Sequence, residues 1–139
     1  MGVVASDNQP LLGLLSMILP CIASGNRVVA VPSLKAALIV ADFYQLLDTS
    51  DVPGGVINLV TGVPSELATV LAAHDDVAAI WAVGPADECE QIKKESAGNL
   101  KSVWTSDGKS PDWYDSQAEG SSWLERATQV KNIWVPYGE

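Results

Sequence analysis

Along the chain, short runs of β-branched and small apolar residues alternate with longer stretches in which apolar positions recur at helical spacing. Residues 2–5, GVVA, predict a strand. After the polar bend DNQP, Pro10 stands in the first turn of a helix, LLGLLSMILPCIAS, where its missing N–H costs nothing. This helix is apolar on nearly all sides and is expected to be covered by other elements. Pro20 is expected to kink it, and Gly25 with Asn26 to end it. RVVAV, residues 27–31, has no polar face, as a strand buried on both sides requires. Ser33 is placed to cap the helix LKAALIVADFYQLLDTS. VPGGV then turns the chain into a strand over residues 56–60.

The unit repeats. Pro64 or Ser65 opens the helix ELATVLAAH, the strand VAAIWAV follows, and Asp87 lies near the start of DECEQIKKES, which ends near Gly98. LKSVWT is the fifth strand. Five strands joined by four helical crossovers predict an α/β fold, a doubly wound parallel sheet of Rossmann type, because parallel neighbours need crossovers and right-handed crossovers put helices on both faces. Beyond Pro111 the periodicity stops. Residues 112–121 predict a loop, SSWLERATQ a short capped helix, and VKNIWV an edge or pairing strand that extends the fold at its C-terminus. Trp104 is expected in the core. Trp113, Trp123 and Trp134, with Tyr114 and Tyr137, are read either as interface anchors or as a segment folding back over the sheet's own edge.

Composition narrows the chemistry. The 139 residues, 47% of them apolar, suffice for one domain with a real core. A balance of 8 basic against 17 acidic side chains, net −9, repels phosphate backbones and anionic headgroups, so neither nucleic acid nor membrane is an expected partner. Two cysteines and one histidine cannot make a usual four-ligand zinc site or a secreted disulfide framework, which makes a reducing cytoplasm the expected location. The start MGVVASDNQP has neither the basic nor the apolar region of a signal peptide. Cys21 and Cys89 read as buried or half-buried thiols, His74 as a helix-end residue, and Asp75 with Asp76 as a solvated turn.

Several segments carry a family likeness: GVV, the bend NQP, the helix end ASGN, VVAVPS, VPGGVINLVTG, HDDVAAIWAVG and GKSP. Across residues 2–111 the chain resembles the cofactor domain of NAD-dependent aldehyde dehydrogenases, and ATQVKNIWVPYGE is similar to that family's C-terminal oligomerisation tail. The resemblance divides the chain into a Rossmann unit (1–111), a loop and short helix (112–127) and a tail strand (128–139). The family's large catalytic domain would fall between Pro111 and Thr128, where only 16 residues stand. In this the chain looks like the truncated, non-catalytic second half of family sixteen aldehyde dehydrogenases.

The same likeness locates site residues. In the family the fifth strand leads into Glu-Leu-Gly-Gly-Lys-Ser-Pro; setting its last four residues on Gly108–Pro111 puts the general-base glutamate at Thr105, which has no carboxyl group to take a proton. Asn8 falls on the asparagine that stabilises the oxyanion in the family, an amide without use where no nucleophile generates charge. The family's ribose-binding lysine and glutamate fall on Val31 and Leu34. Ser33 and Gly84 keep cofactor-binding positions in degenerate surroundings, since Pro85 removes an N–H donor and Asp87 and Glu88 repel a pyrophosphate. The expectation is therefore a non-catalytic, structural or oligomerising domain with no cofactor. The alternative is an NAD-binding half-enzyme whose catalytic domain lies elsewhere. The expected partner is a second copy or a catalytic aldehyde dehydrogenase domain, reached through the tail. Alternation puts Val130, Asn132 and Trp134 on one tail face and Lys131, Ile133 and Val135 on the other, so Ile133, Trp134 and Val135 are the expected interface anchors.

Overall fold

A computed structural model describes residues 1–130 and 132–138, and the backbone but not the side chain of Gln117. The strands are β1 (Gly2–Val4), β2 (Val28–Val31), β3 (Ile57–Leu59), β4 (Ala79–Ala82) and β5 (Ser102–Thr105). Between and after them run the helices α1 (Pro10–Ala23), α2 (Ala37–Asp48), α3 (Pro64–Ala73), α4 (Ala86–Glu95) and α5 (Ser121–Arg126). All four strand pairs are parallel, and the order across the sheet is β3-β2-β1-β4-β5. The doubly wound sheet is thus the one the alternation predicts. β1, β2 and β4 are too apolar to tolerate a wet face, and helices on both sides remove that problem.

Two cores lie on the two faces. One gathers Val3, Leu14, Met17, Ile18, Cys21, Val28 and Trp81 beneath α1, and the other gathers Val4, Val31, Ala68, Ala72, Ile80 and Ile92 beneath α3 and α4. The period of two along β1 and β4 sends successive side chains to opposite cores. Lys101, just before β5, directs its ammonium at the carbonyls of Leu71, Ala72 and His74, and so closes the C-terminal end of α3.

Some local expectations need correction. Ser33 does not cap a helix: its backbone is extended, a 3-10 turn over Leu34–Ala36 intervenes, and its hydroxyl is buried without a partner. The turn is closed by the backbone instead, with the Ala36 N–H donating to the Ser33 carbonyl. α1 runs through Pro20 to Ala23 and ends where expected, at Gly25 with φ +80°, after which the Asn26 N–H reaches back to the Cys21 carbonyl. Residues 112–127, for the most part without helical period, nevertheless pack. Trp113, Trp123 and Ala127 are buried, and Asn26 holds the Ala127 carbonyl at 2.8 Å. For Trp113 and Trp123 this selects the fold-back reading over the interface reading.

The tail differs from an assigned strand. Among its described residues no ladder forms, because a strand exists only against a partner strand and none lies beside it. Val130, Ile133, Trp134 and Val135 stand 68–93% exposed. The placement of Lys131 on one tail face falls outside the described residues.

Trp123 makes edge contacts with Trp81 and Trp104 and a tilted contact with Trp113. Trp123→Ala is expected to cost about 3–5 kcal/mol, the range for truncating a large buried aromatic. Urea denaturation followed by circular dichroism measures it, and a loss under about 1 kcal/mol contradicts a core role for this segment.

Candidate functional site

Strand order places a topological switch between β1 and β4, where the chain leaves in opposite directions and the loops after the strands part. A crevice of about 410 Å³ opens there, at the carboxyl ends of the strands. It is lined by Ser6 and Asp7 after β1, Ser33 and Leu34 after β2, Val63–Ser65 before and into α3, and Gly84, Pro85 and Glu88 around the start of α4. A larger, mainly apolar cavity of about 610 Å³ lies at the other end of the sheet, beside Leu19, Ile22, Val52 and Val56.

The crevice's polar atoms are largely committed elsewhere. The Gly84 N–H donates to the Ser106 hydroxyl at 3.2 Å, and the Gly84 carbonyl faces both Ser106 Oγ and Cys89 Sγ. Pro85 stands at the N-cap of α4 and has no N–H, while Asp87 and Glu88 fill the first helical turn. The Glu88 carboxylate lies over Gly84, close enough that a Cβ there would meet Oε2 at 3.4 Å. α3 also begins with a proline, Pro64. Val31 is buried and Leu34 is 64% exposed, and neither side chain offers a polar atom to a ribose. The Ser33 hydroxyl is the exception, buried at the crevice and unpartnered. For an anionic dinucleotide these groups are a poor fit: the Asp87 and Glu88 carboxylates repel the anion, and Pro85 and Pro64 each remove one N–H donor from a helix start.

Around the end of β5 the sequence-predicted residues come together with others that sequence reasoning passed over. The Thr105 hydroxyl donates to Asp107 Oδ1 at 2.7 Å, and Lys93 from α4 pairs with the same oxygen at 2.5 Å. Hydrogen bonds from Lys93 and then Thr105 hold the Asp107 carboxyl below its ordinary range. Asp107 has φ +49° and Gly108 φ +80°, so the turn is left-handed at two successive residues. Aspartate tolerates that conformation better than most side chains. The only signal available in the sequence was the Asp-Gly pair.

Asn8 lies across from this turn, its amide donating to Ser110 Oγ at 3.1 Å. Its neighbour Gln9, also left-handed at φ +49°, donates to Asp112 and accepts from the Trp113 N–H. The loop after β1 is thereby stitched to the segment after β5. Asp112 is pulled below the ordinary carboxylate range by Gln9 and by the Tyr114 N–H. Asn8 and Thr105 thus both bond to the segment just after β5, and Ser33 and Gly84 line the crevice. Ile133, Trp134 and Val135 lie apart from both.

Neither thiol is presented to solvent. Cys21 is buried in α1, its Sγ against the Met17 carbonyl, and burial pushes its pKa from 9.0 up to about 12. Cys89 is buried in α4. Among the described residues no group of three or more His, Cys, Asp or Glu side chains could hold a metal ion, and no helix is long and apolar enough to cross a membrane.

A parallel sheet with a crevice at its switch point defines the class as a Rossmann-type, doubly wound α/β architecture. A model of the aldehyde dehydrogenase family matches residues 1–128. The chain is 36% identical over 102 residues to 2-aminomuconic semialdehyde dehydrogenase of Mus musculus, covering 73% of this chain and 21% of that protein. It is 34% identical over 111 residues to the NADP/NAD-dependent aldehyde dehydrogenase PuuC of Escherichia coli, covering 77% and 22%. Its structure superposes with a TM-score of 0.71 and 31% identity on aldehyde dehydrogenase C of Pseudomonas syringae, solved with NAD+ and octanal, over 75% of this chain and 21% of that one. The chain belongs to the aldehyde dehydrogenase family, and it spans about a fifth of the length of these relatives. The family match ends at residue 128, so the likeness of the tail rests on its residues alone.

Cys21 yields a prediction with a definite sign. An unfolded thiol ionises near 9.0 and the folded one near 12, so the unfolded state loses its proton first and the stability tied to this group declines as pH rises from 9 towards 12. Cys21→Ala should flatten that alkaline decline in the denaturation midpoint. Iodoacetamide at pH 8 should modify wild-type Cys21 only as fast as the protein unfolds; rapid alkylation of the native chain shows the burial to be wrong.

Proposed function

We propose that this chain is a non-catalytic aldehyde dehydrogenase-like domain with a structural or oligomerising role, equivalent to the truncated second half of family sixteen enzymes. The observation that carries the reading is the burial of Trp113, Trp123 and Ala127. The short segment where relatives have a catalytic domain is used here to complete the core. A reacting group is also wanting: Thr105 stands at the general-base position and is bonded to Asp107, and both thiols are buried. The three segments, residues 1–111, 112–127 and 128–139, then serve as scaffold, cap and associating tail. The partner is a second copy or a catalytic aldehyde dehydrogenase domain, and the location is cytoplasmic, in keeping with two free cysteines.

A second reading, an NAD-holding module acting with a catalytic domain elsewhere, is favoured by the switch-point crevice and the free Ser33 hydroxyl. Against it stand Val31, Leu34, Pro85 and Glu88. Each missing polar partner costs roughly 1–3 kcal/mol. Three or four such losses erase a micromolar affinity, which is worth about 8 kcal/mol.

Calorimetric titration with NAD+ is expected to give a dissociation constant weaker than about 1 mM, equivalent to about 4 kcal/mol. Val31→Lys with Leu34→Glu should strengthen it. A micromolar constant for the unaltered chain transfers the assignment to the second reading. Aldehyde-dependent NADH formation and esterase activity should both be absent; turnover abolished by Cys89→Ala would sink the non-catalytic reading. Sedimentation at several concentrations should show association by the full chain and a folded monomer after removal of residues 130–139. The cut spares Thr128, which closes α5 through the Glu125 carbonyl.

A further inference from the structure

The two edges of the sheet are not equivalent. At β3, the Val28 N–H donates to the Val56 carbonyl and the Val60 N–H to the Ala30 carbonyl, so Leu59 turns its backbone groups outward. Both are taken: the Tyr44 hydroxyl accepts from the Leu59 N–H and donates to the Leu59 carbonyl. At β5 the Ser102 N–H donates to the Ala78 carbonyl and the Ser106 N–H to the Ala82 carbonyl, so Val103 and Thr105 turn theirs outward. Among the described residues no side chain closes them. The β3 edge is plugged at Leu59, whereas among the described residues nothing plugs the β5 edge.

We propose that the open β5 edge receives the tail of a second copy of this chain, residues 132–135, as a sixth strand. The inference rests on the associative reading of the tail and adds its receptor. The tail's chemistry suits this edge. β5 is half-buried on both faces, with Trp104 against Trp123 on one side and Val103 packed against the second core on the other. A strand added beside it needs apolar groups on both faces. The tail has them, Trp134 on one and Ile133 with Val135 on the other. Length agrees as well. The open edge spans only Val103–Thr105 before the left-handed turn at Asp107, and Pro136 halts the ladder of the incoming strand just after Val135. The donor is a second copy because the chain leaves its own edge empty: Gln129 and Ser102 line the same small cavity, yet the tail residues beyond stand exposed.

Mixed 15N-labelled and unlabelled full-length chains, with Trp134→p-benzoylphenylalanine, test this by irradiation at a concentration where sedimentation shows association. Adducts joining heavy and light copies within residues 101–106 are expected. Adducts on residues 57–60, elsewhere on the surface, or confined to one copy overturn the inference and leave the tail's associative role standing. A chain that never associates overturns both. Unaltered protein supplies a second readout: the Val103 and Thr105 amides should exchange with solvent at least tenfold more slowly in the associated form than in dilute monomer. Equal rates refute β5 as the receptor whatever the behaviour of the photoreactive variant.

Discussion

Trp123 has Trp81 at 5.2 Å, Trp104 at 4.9 Å and Trp113 at 5.5 Å, with the Arg126 guanidinium stacked over it and over Trp104. Strands β4 and β5, the loop after β5 and the short helix α5 therefore meet at one side chain. Edge and tilted contacts let the rings fill the space without parallel stacking, and the cation covers the outer faces. The remaining features of the C-terminal third follow from this packing. Trp113 can lie against α1 because Gly13 offers no Cβ, which would otherwise sit 2.6 Å from the Trp113 Nε1 atom. With Trp113 held there, Gln9 and Asp112 come within bonding distance, and the loop after β1 is tied down.

That arrangement explains how a chain spanning about a fifth of its relatives' length still has a closed hydrophobic core. A parallel sheet must be covered on both faces. On the β4 and β5 side the cover next to α1 is supplied by residues 112–127, and on the other face by α3 and α4. The switch-point crevice is a consequence of strand order, and its lining is a separate matter. Carboxylates and prolines stand at the helix starts, the Gly84 amide is turned onto Ser106, and Thr105 is drawn into a surface chain with Asp107 and Lys93. Architecture and chemistry have separate origins: the first depends on core packing across many residues, the second on a few polar atoms.

What the sequence determined by itself was the order and kind of elements from residue 2 to residue 105, because the apolar runs have the period of strand or helix and the turn residues between them are unambiguous. The family followed from contiguous motifs, VPGGVINLVTG above all. Ser33 shows the limit. Its place before an apolar run reads as a cap, yet a 3-10 turn, stabilised by the backbone and by burial of Ala36, took that position and left its hydroxyl alone. The tryptophans show a second limit, since composition could not choose between a contact within the chain and one outside it. Tertiary structure decided it, because burial depends on what lies opposite in space: Trp113 and Trp123 find the sheet and Gly13, whereas Trp134 in the tail finds nothing and stays 93% exposed. The asymmetry of the edges belongs to the same class. Tyr44 and Leu59 are 15 positions apart, and no local pattern connects them; only the packing of α2 beside β3 brings the hydroxyl to the outward-facing backbone.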